Sequence, residues 1–167
     1  MATTPNYVLR IATDADVRSI VDLVNRAFAI ESFFKTGDRI DETQIREMLL
    51  GGQFLLLREG ETLIACVYVD LRGERAYIGV LAVDPAKQKL GIGARMMCEA
   101  EKFGRAAGCK FADIRVVNVR PELPLIYRKL GYTESGTEPA AVIKTATMPV
   151  HFVIMTKPLQ SRVGRCI

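Results

Sequence analysis

The sequence is poor in the features that mark metal centres, membrane segments and nucleic-acid surfaces. It has one histidine, and its four cysteines, Cys66, Cys98, Cys109 and Cys166, lie far apart without a C-x-x-C pair. A Cys/His cluster therefore lacks members, which excludes a structural zinc site of the finger or ribbon kind, and no metal is expected. Cys66 sits in an apolar strand-like run and Cys98 in a helical one, where a free cysteine behaves as a small hydrophobe. No apolar run approaches bilayer-spanning length. The start, Met1 to Asn6, has no basic segment followed by an apolar stretch. A reduced, cytoplasmic protein with no membrane partner is the expectation. The 23 Lys and Arg against 19 Asp and Glu leave a net charge of only +4, with no dense basic run, so nucleic acid is not a predicted partner.

What is present is a globular composition, 49% hydrophobic and 25% charged, which is enough apolar material for a packed core. No Pro/Ser-rich or charge-block linker interrupts the 167 residues, so one domain spanning 1–167 is expected. Tyr7 to Ala12 reads as a first strand. Thr13 and Asp16 stand at capping-box spacing before a helix running to about Ile30, with Val17, Ile20, Val21, Val24, Ala27 and Phe28 on one face. A loop and a short helix around Thr43 to Leu50 follow. Phe54 to Arg58 and Leu63 to Leu71 then form a hairpin of strands around Glu59-Gly60-Glu61, the second apolar on both faces and therefore central.

Ala76 to Val83 is a further strand, ended by Asp84-Pro85. A long helix begins at the glycines 91 and 93 and ends at Gly108, and Phe111 to Asn118 is the next strand. Strand, helix, strand is a βαβ unit, so the strands at 76–83 and 111–118 are expected to be parallel with a right-handed crossover. Pro124 is read as opening a short helix over Leu125 to Leu130, closed by Gly131. The tail from Tyr132 to Leu159 is read as two strands around a Pro-bounded loop.

The segment Val80-Leu-Ala-Val-Asp-Pro-Ala-Lys-Gln-Lys-Leu-Gly-Ile-Gly-Ala-Arg95 leads a strand through a glycine-containing turn into a helix N-terminus. Such a turn aims backbone N–H groups at one spot where the helix dipole favours negative charge, which makes a pyrophosphate cradle. The Walker A pattern is absent. The dinucleotide fingerprint fails because Met96 stands where its third glycine belongs, which disfavours a nicotinamide oxidoreductase.

The pattern Gln88-x-x-Gly91-x-Gly93 after Leu81-Ala-Val-Asp-Pro85 resembles the pyrophosphate loop of the GNAT superfamily of N-acetyltransferases. Asn118 and Leu125-Ile-Tyr-Arg-Lys-Leu-Gly-Tyr132 resemble the family's following motif, one βαβ crossover downstream. The resemblance implies an α/β (α+β) GNAT-like fold: a mixed central sheet, mainly antiparallel, with one parallel βαβ seam and flanking helices. It also implies acetyl-CoA as cosubstrate and transfer of its acetyl group to a primary amine by direct attack. The alternative is a non-catalytic acyl-CoA-binding or sensing module.

Carried onto this sequence, the resemblance implies that the amides of Gln88, Lys89, Leu90, Gly91, Ile92, Gly93 and Ala94 hold the pyrophosphate, with Lys89 or Arg95 supplying charge. Main chain at Leu81, Ala82 and Val83 pairs with the pantetheine arm, and the amide near Leu81 polarises the thioester carbonyl. Asn118 hydrogen-bonds the pantetheine, and Tyr127 matches the tyrosine that protonates the departing thiolate. No carboxylate lies on the strand 76–83, where some members carry a general base. Glu31, Asp38 and Asp41 in the preceding loop are candidates, with solvated loop acids as the competing reading. Phe34, Phe33 and Met148 are candidate acceptor-site walls, each also readable as core, and His151 begins the last strand. The acceptor is a small molecule or a peptide amine, and a monomer or homodimer is expected.

Overall fold

A computed structural model describes residues 4–159. Its elements are strands β1 (Tyr7–Ile11), β2 (Gln53–Glu59), β3 (Thr62–Arg72), β4 (Arg75–Val83), β5 (Phe111–Val117), β6 (Thr133–Pro139) and β7 (His151–Pro158). The helices are α1 (Val17–Ala27), α2 (Glu42–Gly51), α3 (Ile92–Ala106) and α4 (Glu122–Lys129). The strands form a seven-stranded sheet in the order β1-β2-β3-β4-β5-β7-β6. All pairings are antiparallel except β4 with β5. This is the mixed α/β sheet that the resemblance implies, with the parallel seam that the strand-helix-strand order predicts.

The capping box is present but serves a 3-10 turn over Asp14–Asp16 that feeds α1, with Asp16 Oδ2 accepting from the Thr13 N–H at 2.8 Å. The first helix is shorter than its apolar period suggests, because a second 3-10 turn over Ala29–Phe33 takes the chain after Ala27. α4 begins at Glu122, before the expected Leu125. Pro124 sits in its first turn, where the missing N–H has no intrahelical partner to lose.

α3 and α4 pack on one face of the sheet. Met96, Met97 and Ala100 meet Ile64, Ile78 and Ile114, with Leu123 and Tyr127 of α4 at the margin. α1 and α2 pack on the other face, where Ile20, Leu23, Val24 and Ile45 meet Phe54, Leu56, Cys66 and Tyr68. Each fully buried side chain of this kind is worth about 1.5–3 kcal/mol. Cys66 behaves as the hydrophobe expected, its thiol pushed up to about 12 by burial, whereas Cys98 is only half-buried.

A third, smaller cluster of Phe34, Val117, Ala140 and Phe152 lies under two loops, 28–40 and 140–150. These loops are joined to each other. Lys35 and Ala146 form an antiparallel bridge, the Thr36 N–H donates to Thr145 O at 3.0 Å, and the Thr147 N–H donates to Phe34 O at 2.7 Å. Among the described residues no helix is long and apolar enough to cross a membrane.

Candidate active site

The parallel seam is short. β4 and β5 pair only through Arg75, Ala76 and Tyr77 opposite Phe111, Ala112 and Asp113. Beyond these the strands diverge, and a cleft of about 600 Å³ opens between them. Two backbone edges without ladder partners therefore face each other across it, the arrangement that an extended ligand can complete by main-chain hydrogen bonds.

A β-bulge shapes the β4 side. Cys66 pairs with Ala82 and Tyr68 with Gly79, so Val80 and Leu81 together oppose Val67. Val80 has φ +47°, an outlier for a β-branched residue and a form of strain that concentrates at functional sites. The extra residue reverses the facing of the strand. Before it, Ala76 and Ile78 meet the α3 core and Tyr77 meets the α1 core; after it, Leu81 and Val83 meet the α3 core and Ala82 the α1 core. Gly79 makes room here for the Tyr77 ring, since a Cβ would lie 2.8 Å from the Tyr77 hydroxyl and displace it. A glycine inside a strand pattern is the signal from which this bulge was readable.

The turn after β4 is held from both sides. Asp84 accepts from the Ala86 N–H at 2.9 Å and from Arg26 of α1 at 3.1 Å, and these contacts keep its carboxyl below the usual range. The Gln88 side chain folds back to donate to Val83 O at 3.2 Å. Lys89 at φ +64° and Gly91 at φ +79° turn the chain into α3. The first main-chain bond of that helix runs from the Arg95 N–H to Gly91 O at 3.1 Å, which leaves the amides of Ile92, Gly93 and Ala94 without intrahelical acceptors. All three residues line the cleft. A Cβ added at Gly93 would touch Leu81 and Val83 at 3.9 Å, an ordinary contact, whereas one at Gly91 would meet no atom within 4 Å. Unpaired amides at a helix N-terminus beside open strand edges fit the pyrophosphate and extended arm of a coenzyme A.

Of the residues singled out from sequence, Leu81, Val83, Gln88, Lys89, Gly91, Ile92, Gly93, Ala94, Tyr127 and Glu31 line this one cleft. Others stand apart from it. Ala82 faces the α1 core because of the bulge, Leu90 is exposed, and the Arg95 guanidinium lies over the Tyr7 ring at 5.7 Å. Asn118 fastens β5 to β7: its Oδ1 accepts from the His151 N–H at 2.8 Å, and its own N–H donates to His151 O at 3.0 Å. Phe34 is core, edge-on to Phe33 at 5.0 Å. Asp38 is exposed, and Asp41 caps α2 by accepting from the Gln44 N–H at 2.8 Å. His151, Phe33 and Met148 are exposed and lie off the cleft.

Glu31 departs from the solvated-acid reading. It is 4% exposed, lies on the cleft wall, and has Arg120 Nη1 3.5 Å from its Oε1. Tyr127 stands edge-on to Tyr132 at 6.0 Å, and burial holds its phenol above the ordinary value, so it stays protonated. Side chains not anticipated from sequence complete the wall: Phe28, Arg39, Tyr77, Arg115, Arg120 and Phe152. Arg115 could have been flagged as a charged residue alternating with Ile114 and Val116 on a central strand. Nothing in the sequence around Arg39 marks it.

The model of the "Acetyltransferase (GNAT) domain" family matches residues 51–134, which hold the bulge, the cradle and Tyr127. The chain belongs to the GNAT acetyltransferase family. Solved structures carry the same fold across nearly the whole chain. The ribosomal-protein-S18-alanine N-acetyltransferase of Escherichia coli is 16% identical with a TM-score of 0.76, covering 95% of this chain and 97% of its own. Nourseothricin acetyltransferase is 21% identical with a TM-score of 0.72, covering 92% and 99%. A Salmonella typhimurium protein solved with its cofactor acetyl-CoA is 18% identical with a TM-score of 0.70, covering 95% and 96%. At these identities the likeness to other GNAT proteins is one of fold. Among curated proteins none matches the chain.

Proposed function

We propose that this GNAT protein transfers an acetyl group from acetyl-CoA to a primary amine by direct attack. The observation that carries the reading is the convergence of a helix-N-terminal cradle, an unpaired strand edge at the bulge, Tyr127 and buried Glu31 on one cleft. Acetyl-CoA supplies the acetyl group as a thioester. The amides of Ile92, Gly93 and Ala94 bind and orient its pyrophosphate, and the main chain at Leu81 and Val83 aligns its arm along β4.

The N–H at Leu81, within the bulge, donates to the carbonyl oxygen as negative charge gathers there. A primary amine is mostly protonated at neutral pH. Glu31 takes the ammonium proton at a carboxylate oxygen, directly or through water, and Tyr127 delivers its phenolic proton to the departing sulfur. The protonated state that burial enforces on Tyr127 is the one this step uses. Calorimetric titration with acetyl-CoA, beside a thiol-release assay over a panel of amines, tests the reading. Binding with release on one amine class is the expected result; no binding overturns it.

A further inference from the structure

The acceptor side of the cleft carries more positive charge than acetyl transfer needs. Arg39, Arg115 and Arg120 line it, and Lys35 is buried in the same loop as Glu31 and Arg39. Two of the three arginines are matched within the protein. Arg115 Nε lies 2.6 Å from Glu138, and Arg120 contacts Glu122 at 2.9 Å and Glu31 at 3.5 Å. Arg39 is different. Among the described residues no carboxylate stands within ion-pair distance of it, and its Nε is buried without a hydrogen-bond partner.

Arg39 is nevertheless held in place. Its guanidinium lies over the Phe28 ring at 5.2 Å. Its backbone is pinned by Asn25, whose Oδ1 accepts from the N–H groups of Arg39 and Ile40 at 2.9 and 3.0 Å and whose Nδ2 donates to Ile40 O at 2.9 Å. A buried donor left unmade is costly, and a planar fork fixed on a cleft wall matches a carboxylate bidentately. Lys35 is buried in the same loop and is offset by the nearby carboxylates of Glu31 and Asp38, which leaves Arg39 as the unmatched cation on the wall.

We propose that Arg39 binds a carboxylate of the acceptor, so that the substrate is a small amine carrying a carboxylate, of amino-acid type, rather than a polycationic amine. Its ammonium then meets Glu31 on the same wall. This inference rests on reading the cleft as an acetyl-transfer site, and the experiment separates the two. The proteinogenic amino acids and their C-terminal amides are titrated calorimetrically into the chain, both free and saturated with CoA.

At least one amino acid should bind about tenfold or more tightly than its amide, the worth of a charge-assisted pair. Arg39→Gln should abolish that difference while leaving acetyl-CoA affinity unchanged. Arg39→Lys, which keeps the charge and loses the fork, should weaken it several-fold and serves if the glutamine variant does not fold. Equal binding of every acid and its amide, or a preference that survives Arg39→Gln, overturns the proposal. Failure of acetyl-CoA to bind in the same instrument overturns the transfer reading instead, since the carboxylate preference is also read on the free chain.

Discussion

The two sides of the cleft are made in different ways. The donor side is main chain from one continuous segment: a bulged strand, a turn and a helix N-terminus between Val80 and Arg95. The acceptor side is side chains from separate segments: Phe28, Glu31 and Arg39 before α2, Tyr77 on β4, Arg115 on β5, Arg120 in the turn between β5 and α4, and Phe152 on β7. A site of backbone amides needs only turn geometry, so its signature is a short run of glycines at fixed spacing. A site of side chains from distant segments has no local signature and can be rebuilt without touching the other half.

Substitutions can break this division of labour. The largest effect is expected at the meeting point: Tyr127→Phe should lower turnover about 10²- to 10⁴-fold and leave acetyl-CoA affinity unchanged, read by thiol release and calorimetry. A chain that only binds acyl-CoA would have no turnover to lose. Because burial raises the phenol above its ordinary value of 10.0, any alkaline loss of wild-type turnover that comes from Tyr127 should have its midpoint above pH 10.

On the acceptor side, Glu31→Gln should cut turnover at neutral pH by about 10- to 100-fold. The deficit should shrink as pH rises and the free amine deprotonates itself; a deficit constant with pH would remove Glu31 from the proton path. On the donor side, Gly91→Ala forces a Cβ into φ +79° and costs about 1–2 kcal/mol. Acetyl-CoA should bind about tenfold more weakly, with the acceptor KM unmoved.

The smallest effect is a control far from both sides. Arg10 hydrogen bonds hold the Asp16 carboxyl well below its ordinary 3.8, against the opposing effect of burial. A depressed carboxylate contributes stability that is fully present above its unfolded value and is lost as pH falls through the folded one. Asp16→Asn should lower Tm by a few degrees at pH 7, about 1 kcal/mol for a pair whose arginine is partly exposed. That gap should narrow as pH falls from about 5 toward 3, with neither substrate's KM altered.

The donor side was legible in the sequence because one continuous run of the chain sets its geometry. β4, the cradle, α3 and β5 fall within a residue or two of their predicted bounds, because the apolar periods are long and Gly91 and Gly108 punctuate them. The acceptor side was not. Glu31 sits in a 3-10 turn with no sustained period to reveal that it points inward, and Asn118, placed by motif on the cofactor, spends its side-chain oxygen clamping β7. The reversal at Val80 undid strict alternation, sending the Ala82 side chain into the α1 core and off the cleft wall.

The main-chain clasp between residues 34–36 and 145–147 has a consequence for how such a protein acquires a new substrate. Two segments far apart in the chain thereby fix each other beside the cleft. Recombination with a breakpoint between them hands the descendant half a wall from each parent, and a library confined to either loop samples shapes that its fixed partner then vetoes. The two loops are inherited, and have to be redesigned, as a pair.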